Sequence, residues 1–323
     1  MEENKDITAK DTEKKEKKAG GRLRVLKDGA AGFGMGVAFI IPGFSGGSVA
    51  AILGIYERLI GAIADIFKSF KKSVIALLPI FIGLALGAVS LMFPLDWALG
   101  AFPLPTVCLF VGLALGGLPS ITDKVRGRLV WTNILALLIP MLLAVALCFA
   151  PTGADVDLFS LDFGGYLILF LVGIVGSSAL VIPGISGSMI LLILGYYNPL
   201  LGMITQNLLK GQNVGTALLV LASAGAGIVF GFIGISVIMK HLLNKCPRGT
   251  YFAIIGFIIG SVPTVFVSTA KDAGMTFTTL PTDAWHWIAC ALLLLAGGAL
   301  SFLLVTKAKR LAAGKQKDES IAE

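Results

Sequence analysis

Charge is scarce in this chain: 14% of its residues are Asp, Glu, Lys or Arg, against 56% hydrophobic, and the mean hydropathy is +0.89. A soluble globular domain carries about 25% charged residues, so that class is excluded and a polytopic membrane protein is expected. Histidine is scarcer still, with His241 and His286 alone. The four cysteines, Cys108, Cys148, Cys246 and Cys290, stand far apart with no CxxC pair, so neither a metal site nor a disulfide framework is read. A signal peptide is not expected either. The first 18 residues hold six Lys and six acidic residues and almost nothing apolar, which describes a solvated, disordered tail. A formal charge of +7 would suit nucleic acid, but the basic residues fall in short clusters beside apolar runs. Membrane orientation accounts for them, and no nucleic-acid partner is expected.

What is abundant is glycine and proline, forty and thirteen residues, many inside the apolar runs. Lipid tolerates them there where neighbouring protein re-satisfies the backbone, so packed and interrupted helices are expected. A span needs about 20 apolar residues. Six segments qualify, roughly 73–93, 105–120, 129–150, 215–239, 250–269 and 286–305. Two more, 29–67 and 163–204, are apolar but broken in the middle.

If both broken segments enter and leave on one side, the basic residues sort cleanly. Arg22, Arg24 and Lys27, then Lys68, Lys71 and Lys72, then Lys124, Arg126 and Arg128, then Lys240, Lys245 and Arg248, then Lys307, Lys309 and Arg310 share one side. The opposite connections near 94–104 and 151–162 have no Lys or Arg, and those near 205–214 and 270–285 have only Lys210 and Lys271. Positive-inside bias then puts both termini in the cytoplasm and makes each broken segment a re-entrant hairpin. Trp97, Trp285 and Trp287 fall near the outer interface and Trp131 near the inner one, as anchors.

The two breaks are copies. "IPGFSGGSVAAILGIYERLIGAI" from Ile41 and "IPGISGSMILLILGYYNPLLGMI" from Ile182 agree at twelve of 23 positions without a gap. "GLALGGLP" from Gly112 and "GFIIGSVP" from Gly256 echo each other further on. Two ordered echoes indicate internal duplication. The expected fold is all-α: a charged tail, 1–27; a first repeat, 28–150, with hairpin 29–67 and three spans; a second repeat, 163–306, with hairpin 163–204 and three spans; and a basic tail, 307–323. An odd number of crossings per repeat inverts the second relative to the first, a layout recurring among secondary transporters.

Each break ends its incoming helix at proline and turns at Gly43 or Gly184. Ser45 and Ser186 then suit N-caps of the outgoing helices, leaving backbone N–H groups around Gly46, Gly47 and Ser48, and around Gly187 and Ser188, without intrahelical partners. Helix N-termini attract anions, and glycine lets an anion approach the backbone. One alternative is that the motif only turns the chain while the serines satisfy their own backbone. An unsatisfied N–H in hydrocarbon costs several kcal/mol, which favours a ligand once the motif is doubled.

Glu57 and Arg58 lie about 12 residues past the turn, or ~18 Å along a straight helix, near the cytoplasmic interface. Both suit snorkelling, with Arg58 receiving a phosphate or Glu57 carrying a coupling proton as the alternative. Asp65, Asp123 and Lys124 read as interfacial. Gly112, Gly116, Gly256 and Gly260 read as sites of close helix packing.

The paired "PGFSGGS … GIYERL" and "PGISGS … LGYYNPL" motifs resemble those of the bacterial polyprenyl-phosphate transporter family, over about Lys27 to Lys307. The resemblance implies a translocase returning undecaprenyl phosphate from the outer to the cytoplasmic leaflet of the plasma membrane. No cofactor is expected, and coupling to a proton, to sodium or to the membrane potential is open. Its partners would be the lipid and the bilayer, with homo-oligomerisation open. The turn is also similar to the PGxSRSG motif of undecaprenyl-pyrophosphate phosphatases. No Arg follows Ser45 or Ser186, however, and no glutamate-rich motif with a neighbouring His precedes the first turn. Hydrolysis needs such groups to stabilise charge and manage a proton, so no enzyme is expected. A small-anion transporter would share the same cradle.

Overall fold

A computed structural model describes residues 24–38, 45–272 and 283–321. Pro42 and Gly43 lie outside these, as does the 1–23 part of the charged tail. Every regular element among the described residues is a helix. In chain order they are α1 (24–38), α2 (Gly46–Ile52), α3 (Tyr56–Ala64), α4 (Phe70–Ala101), α5 (Pro103–Gly117), α6 (Pro119–Thr122) and α7 (Trp131–Cys148). Then follow α8 (Phe163–Val181), α9 (Gly187–Ile193), α10 (Tyr197–Gly202), α11 (Val214–Lys245), α12 (Pro247–Asp272) and α13 (Ala284–Ile321).

Among the described residues, seven helical segments are long and apolar enough to cross a bilayer: α4, α5 continuing into α6, α7, α8, α11, α12 and the first part of α13. The chain is a multi-pass membrane protein. Six of the seven coincide with the expected spans. The seventh, α8, was expected as the incoming limb of a hairpin, yet its 19 residues reach ~28 Å, enough for a crossing by itself. Helix α13 continues beyond its apolar part through Ile321.

Both broken segments bend downstream of the proline motif. The chain turns by 120° between α2 and α3 and by 111° between α9 and the helix Tyr197–Leu208. The pivots are Gly54 (φ +71°) and Gly195 (φ +77°), in the left-handed region where a Cβ is strained. This corrects the expectation of a straight helix from Ser45 past Glu57. The glycine was identical in both copies, but inside an apolar run it looked like helix.

Glycine also sets the packing. Within the halves, α1 lies on α4 and α8 on α11. Across them, α5 packs on α13 and α12 on α7. A methyl group on Gly112 would lie 2.1 Å from the Leu294 carbonyl oxygen, and one on Gly256 would lie 2.1 Å from that of Leu137. The echoed glycines are therefore where helices from opposite halves touch backbone to backbone, as small residues permit in membranes. In α5 and α12, 56% of the apolar stretch is buried, against 17–39% in the other spans, so this related pair is the innermost. The main core, with Ile52, Tyr56, Ile60, Ile63, Ile254 and Ile258, joins α2 and α3 to α12.

Ion pairs collect at one end of the bundle: Asp28 with Arg58, Asp65 with Lys240 and Glu57 with Lys124. Arg248 joins them through the Val125 carbonyl. At the other end, the 153–156 connection lies along Gly195, and Asn198 donates to Asp155 at 3.2 Å. Connectors that were sorted together by charge thus meet in space.

Candidate functional site

Ser45 sits in extended backbone immediately before α2, and its Oγ accepts from the Gly47 amide at 3.2 Å. The same hydroxyl donates to the Ala179 carbonyl at 3.4 Å, near the end of α8. Tyr56, just past the Gly54 bend, donates its hydroxyl to the Val181 carbonyl at 2.8 Å. A Cβ on Gly47 would lie 3.4 Å from the α-carbon of Pro183. The two breaks, 141 residues apart in sequence, are therefore docked against one another. Beside them, Ser48 is 2% exposed and its Oγ has no hydrogen-bond partner. Such a group costs about 1–3 kcal/mol unless a ligand or water meets it.

The second break is built on the same plan with a more open setting. Gly184 has φ +86°, and a side chain there would meet the Phe257 carbonyl at 2.5 Å, so only glycine lets this turn rest on α12. Ser186 caps α9, accepting from the Met189 amide at 3.5 Å, and its Oγ lies 3.1 Å from that of Ser188. The amides of Gly187 and Ser188 stand in the first turn, where a helix supplies no acceptor. A small, open recess lies here, bounded by α7 (Ala144, Leu147), α12 (Thr264) and the break itself, including Gly184, Ser186 and Met189. Six of the seven residues of α2 are buried, whereas none of α9 is. Helix α2 is enclosed, whereas α9 is partly exposed along its length.

Glu57 and Arg58 lie beyond the Gly54 bend and are held elsewhere. Arg58 pairs with Asp28, which is 5% exposed. Glu57 accepts through Oε1 from Lys124 Nζ at 3.1 Å and from the Tyr251 hydroxyl. Lys124, read from sequence as merely interfacial, belongs to this polar cluster, as does Tyr251, which the sequence did not single out, while Arg248, counted from sequence only as an orienting charge, lies beside it. Their partners lie 67, 194 and 123 positions away, and no local pattern signals contacts of that range.

The paired breaks, the crossed packing of the halves and the serine cap beside the recess describe a site without naming its family. Comparison with known proteins does so: the family described as undecaprenyl phosphate translocase-like matches residues 35–279. The chain belongs to that family. Among curated proteins, the translocase-like chain is 31% identical over 265 residues to the polyprenyl-phosphate transporter of Staphylococcus aureus (strain NCTC 8325 / PS 47), covering 80% of this chain and 90% of the relative. It is 27% identical over 321 residues to the polyprenyl-phosphate transporter of Vibrio cholerae serotype O1 (strain ATCC 39315 / El Tor Inaba N16961), covering 87% and 96%. No solved structure matches it. The family match takes in both breaks, the Glu57 cluster and the echoed glycines.

Proposed function

We propose that this chain moves a polyprenyl phosphate such as undecaprenyl phosphate from the outer to the cytoplasmic leaflet, holding its phosphate at the two breaks while the tail stays in lipid. The names of the two relatives support the substrate class. The observation that carries the site is the docking of the breaks, Gly47 against Pro183, with the unpartnered Ser48 hydroxyl buried beside them. A phosphate monoester brings the acceptors that such a place lacks. Charge-assisted bonds from the amides of Gly46, Gly187 and Ser188 and from the hydroxyls of Ser48 and Ser186 would offset its desolvation.

In this reading the halves are inverted repeats, each with a re-entrant hairpin, and both termini are cytoplasmic. Positive-inside sorting and the two matching bends support it. The open α9 side admits the head group, and rocking of one repeat against the other carries it past the enclosed α2 side. Glu57 is the candidate carrier of a coupling proton, with sodium as the alternative ion. The lipid leaves as it arrived, because no Arg or acid–base group follows either serine cap to support hydrolysis.

The test is binding of farnesyl phosphate, a short polyprenyl monoester, to wild type, Gly47→Ala and Gly187→Ala in nanodiscs. A methyl at either site meets its neighbours at 3.4 Å, an ordinary contact, so both variants fold. Alanine keeps the amide N–H, but its methyl group takes the space that glycine leaves for an approaching anion, and weakening one charge-assisted bond in this way, by about 1.5–3 kcal/mol, lowers affinity by about 10- to 150-fold. Unchanged affinity in both variants removes the phosphate from the breaks.

A further inference from the structure

The ion pairs at the basic end of the bundle are not alike. Arg58 with Asp28 and Lys240 with Asp65 are each one cation to one anion. Glu57 pairs with Lys124, and a second cation, Arg248, donates to the carbonyl of Val125, the residue next to Lys124. Arg248 stands one turn before Tyr251 on α12, and its Nε donates to the Val125 carbonyl at 3.2 Å. Its Nη2 is buried with no partner. The connector bends over the guanidinium at Gly127, with φ +123°, where a Cβ would lie 3.4 Å from Cζ and both terminal nitrogens. Lys124 Nζ lies 5.7 Å from the centre of the Tyr251 ring while reaching Glu57. The side chains of Glu57 and Lys124 are about half exposed, 51% and 53%, so a ligand can reach them from water.

We propose that Lys124, Tyr251 and Arg248 form a second phosphate-binding station, separate from the paired breaks, which the Glu57 carboxylate occupies in this structure. Glu57 shows where an anion sits, since one of its oxygens already accepts from both Lys124 and the Tyr251 hydroxyl. A phosphomonoester offers more acceptor oxygens and more charge than a carboxylate. It takes the same two donors, draws on the spare Arg248 nitrogen and turns Glu57 out into water. The station lies about the Gly54 bend from the first break, at the end where the basic connectors gather. Resting on the transport reading above, it is where the head group is received after leaving the breaks. The same donors would also bind free inorganic phosphate.

The test titrates farnesyl phosphate, inorganic phosphate and neutral farnesol against full-length protein in nanodiscs, in wild type and in Gly187→Ala so that loss at the breaks and at the station is read separately. Removing a competing anion tightens binding, so Glu57→Gln raises affinity by about threefold or more, while Lys124→Gln and Arg248→Gln each lower it by about tenfold. Lys240→Gln breaks a balanced pair at the same end and leaves affinity within about twofold. Opposite signs for Glu57 and Lys124 are what a ligand station requires and a structural ion pair does not, because a structural pair weakens alike from either side. If all four variants weaken binding together, or if Lys124→Gln and Arg248→Gln change nothing while Gly187→Ala does, the station is overturned and the breaks stand. If Gly187→Ala changes nothing while the station variants follow the expected signs, the reading of the breaks fails instead. Tighter binding of the farnesyl ester than of inorganic phosphate assigns the station to lipid head groups, and equal binding assigns it to the free ion. Binding of neither overturns it.

Discussion

Gly256 offers a direct test of how the halves are joined. A methyl group there would fall 2.1 Å from the Leu137 carbonyl oxygen, where carbon and oxygen normally stay about 3.3–3.6 Å apart. The two backbones must therefore separate by roughly 1 Å, a gap that forfeits about a quarter to a half of each van der Waals contact along the seam. Overpacking of this kind costs about 1–3 kcal/mol, and because backbone opposes backbone the upper end applies. Gly234→Ala on α11 is the control, since nothing lies within 4 Å of a Cβ there. It should be neutral or gain about 0.5–1 kcal/mol from better helix propensity. At about 2–4 °C per kcal/mol, Gly256→Ala should melt about 6–12 °C below Gly234→Ala by circular dichroism in detergent. Gly112→Ala, which meets Leu294 in the same way, should match Gly256→Ala. Melting of Gly256→Ala alongside the control would refute the backbone contact between α12 and α7.

Tyr56→Phe removes the hydroxyl that reaches Val181 and leaves a buried carbonyl without its donor. A loss of about 1–2 kcal/mol in unfolding experiments is expected, with slower leaflet exchange. Asp65→Lys and Lys240→Asp should each lower the melting temperature, and combining them should restore most of it, because the pair they reverse is balanced and spans α3 and α11. Cys246 is exposed and the other three cysteines are buried, so a maleimide should label one thiol quickly in the folded protein and four after denaturation.

Much of this arrangement was legible in the sequence, for physical reasons that differ from place to place. Ser45 and Ser186 cap their helices because a hydroxyl after a proline–glycine turn has few other roles. The spacing of Gly112 and Gly256 announced close packing, since only the absence of a side chain admits a neighbouring backbone. Gly54 and Gly195 were harder to read. A single glycine in an apolar run is compatible with helix, and only the positive φ seen in both copies reveals the bend. Glu57 was singled out as a charge on an apolar segment, but its partners Lys124 and Tyr251 come from distant spans brought together by helix packing. The spanning length of α8 was hidden because its break falls after a stretch already long enough to cross.

The most direct test uses purified protein in liposomes carrying fluorescent undecaprenyl phosphate in one leaflet, with accessible head group followed over time and free phosphate assayed in parallel from the pyrophosphate form. Protein-dependent exchange without phosphate release, slowed in both Gly47→Ala and Gly187→Ala, is the result expected of a translocase working through its paired breaks. No exchange with proton and sodium gradients imposed, or release of phosphate, would contradict it.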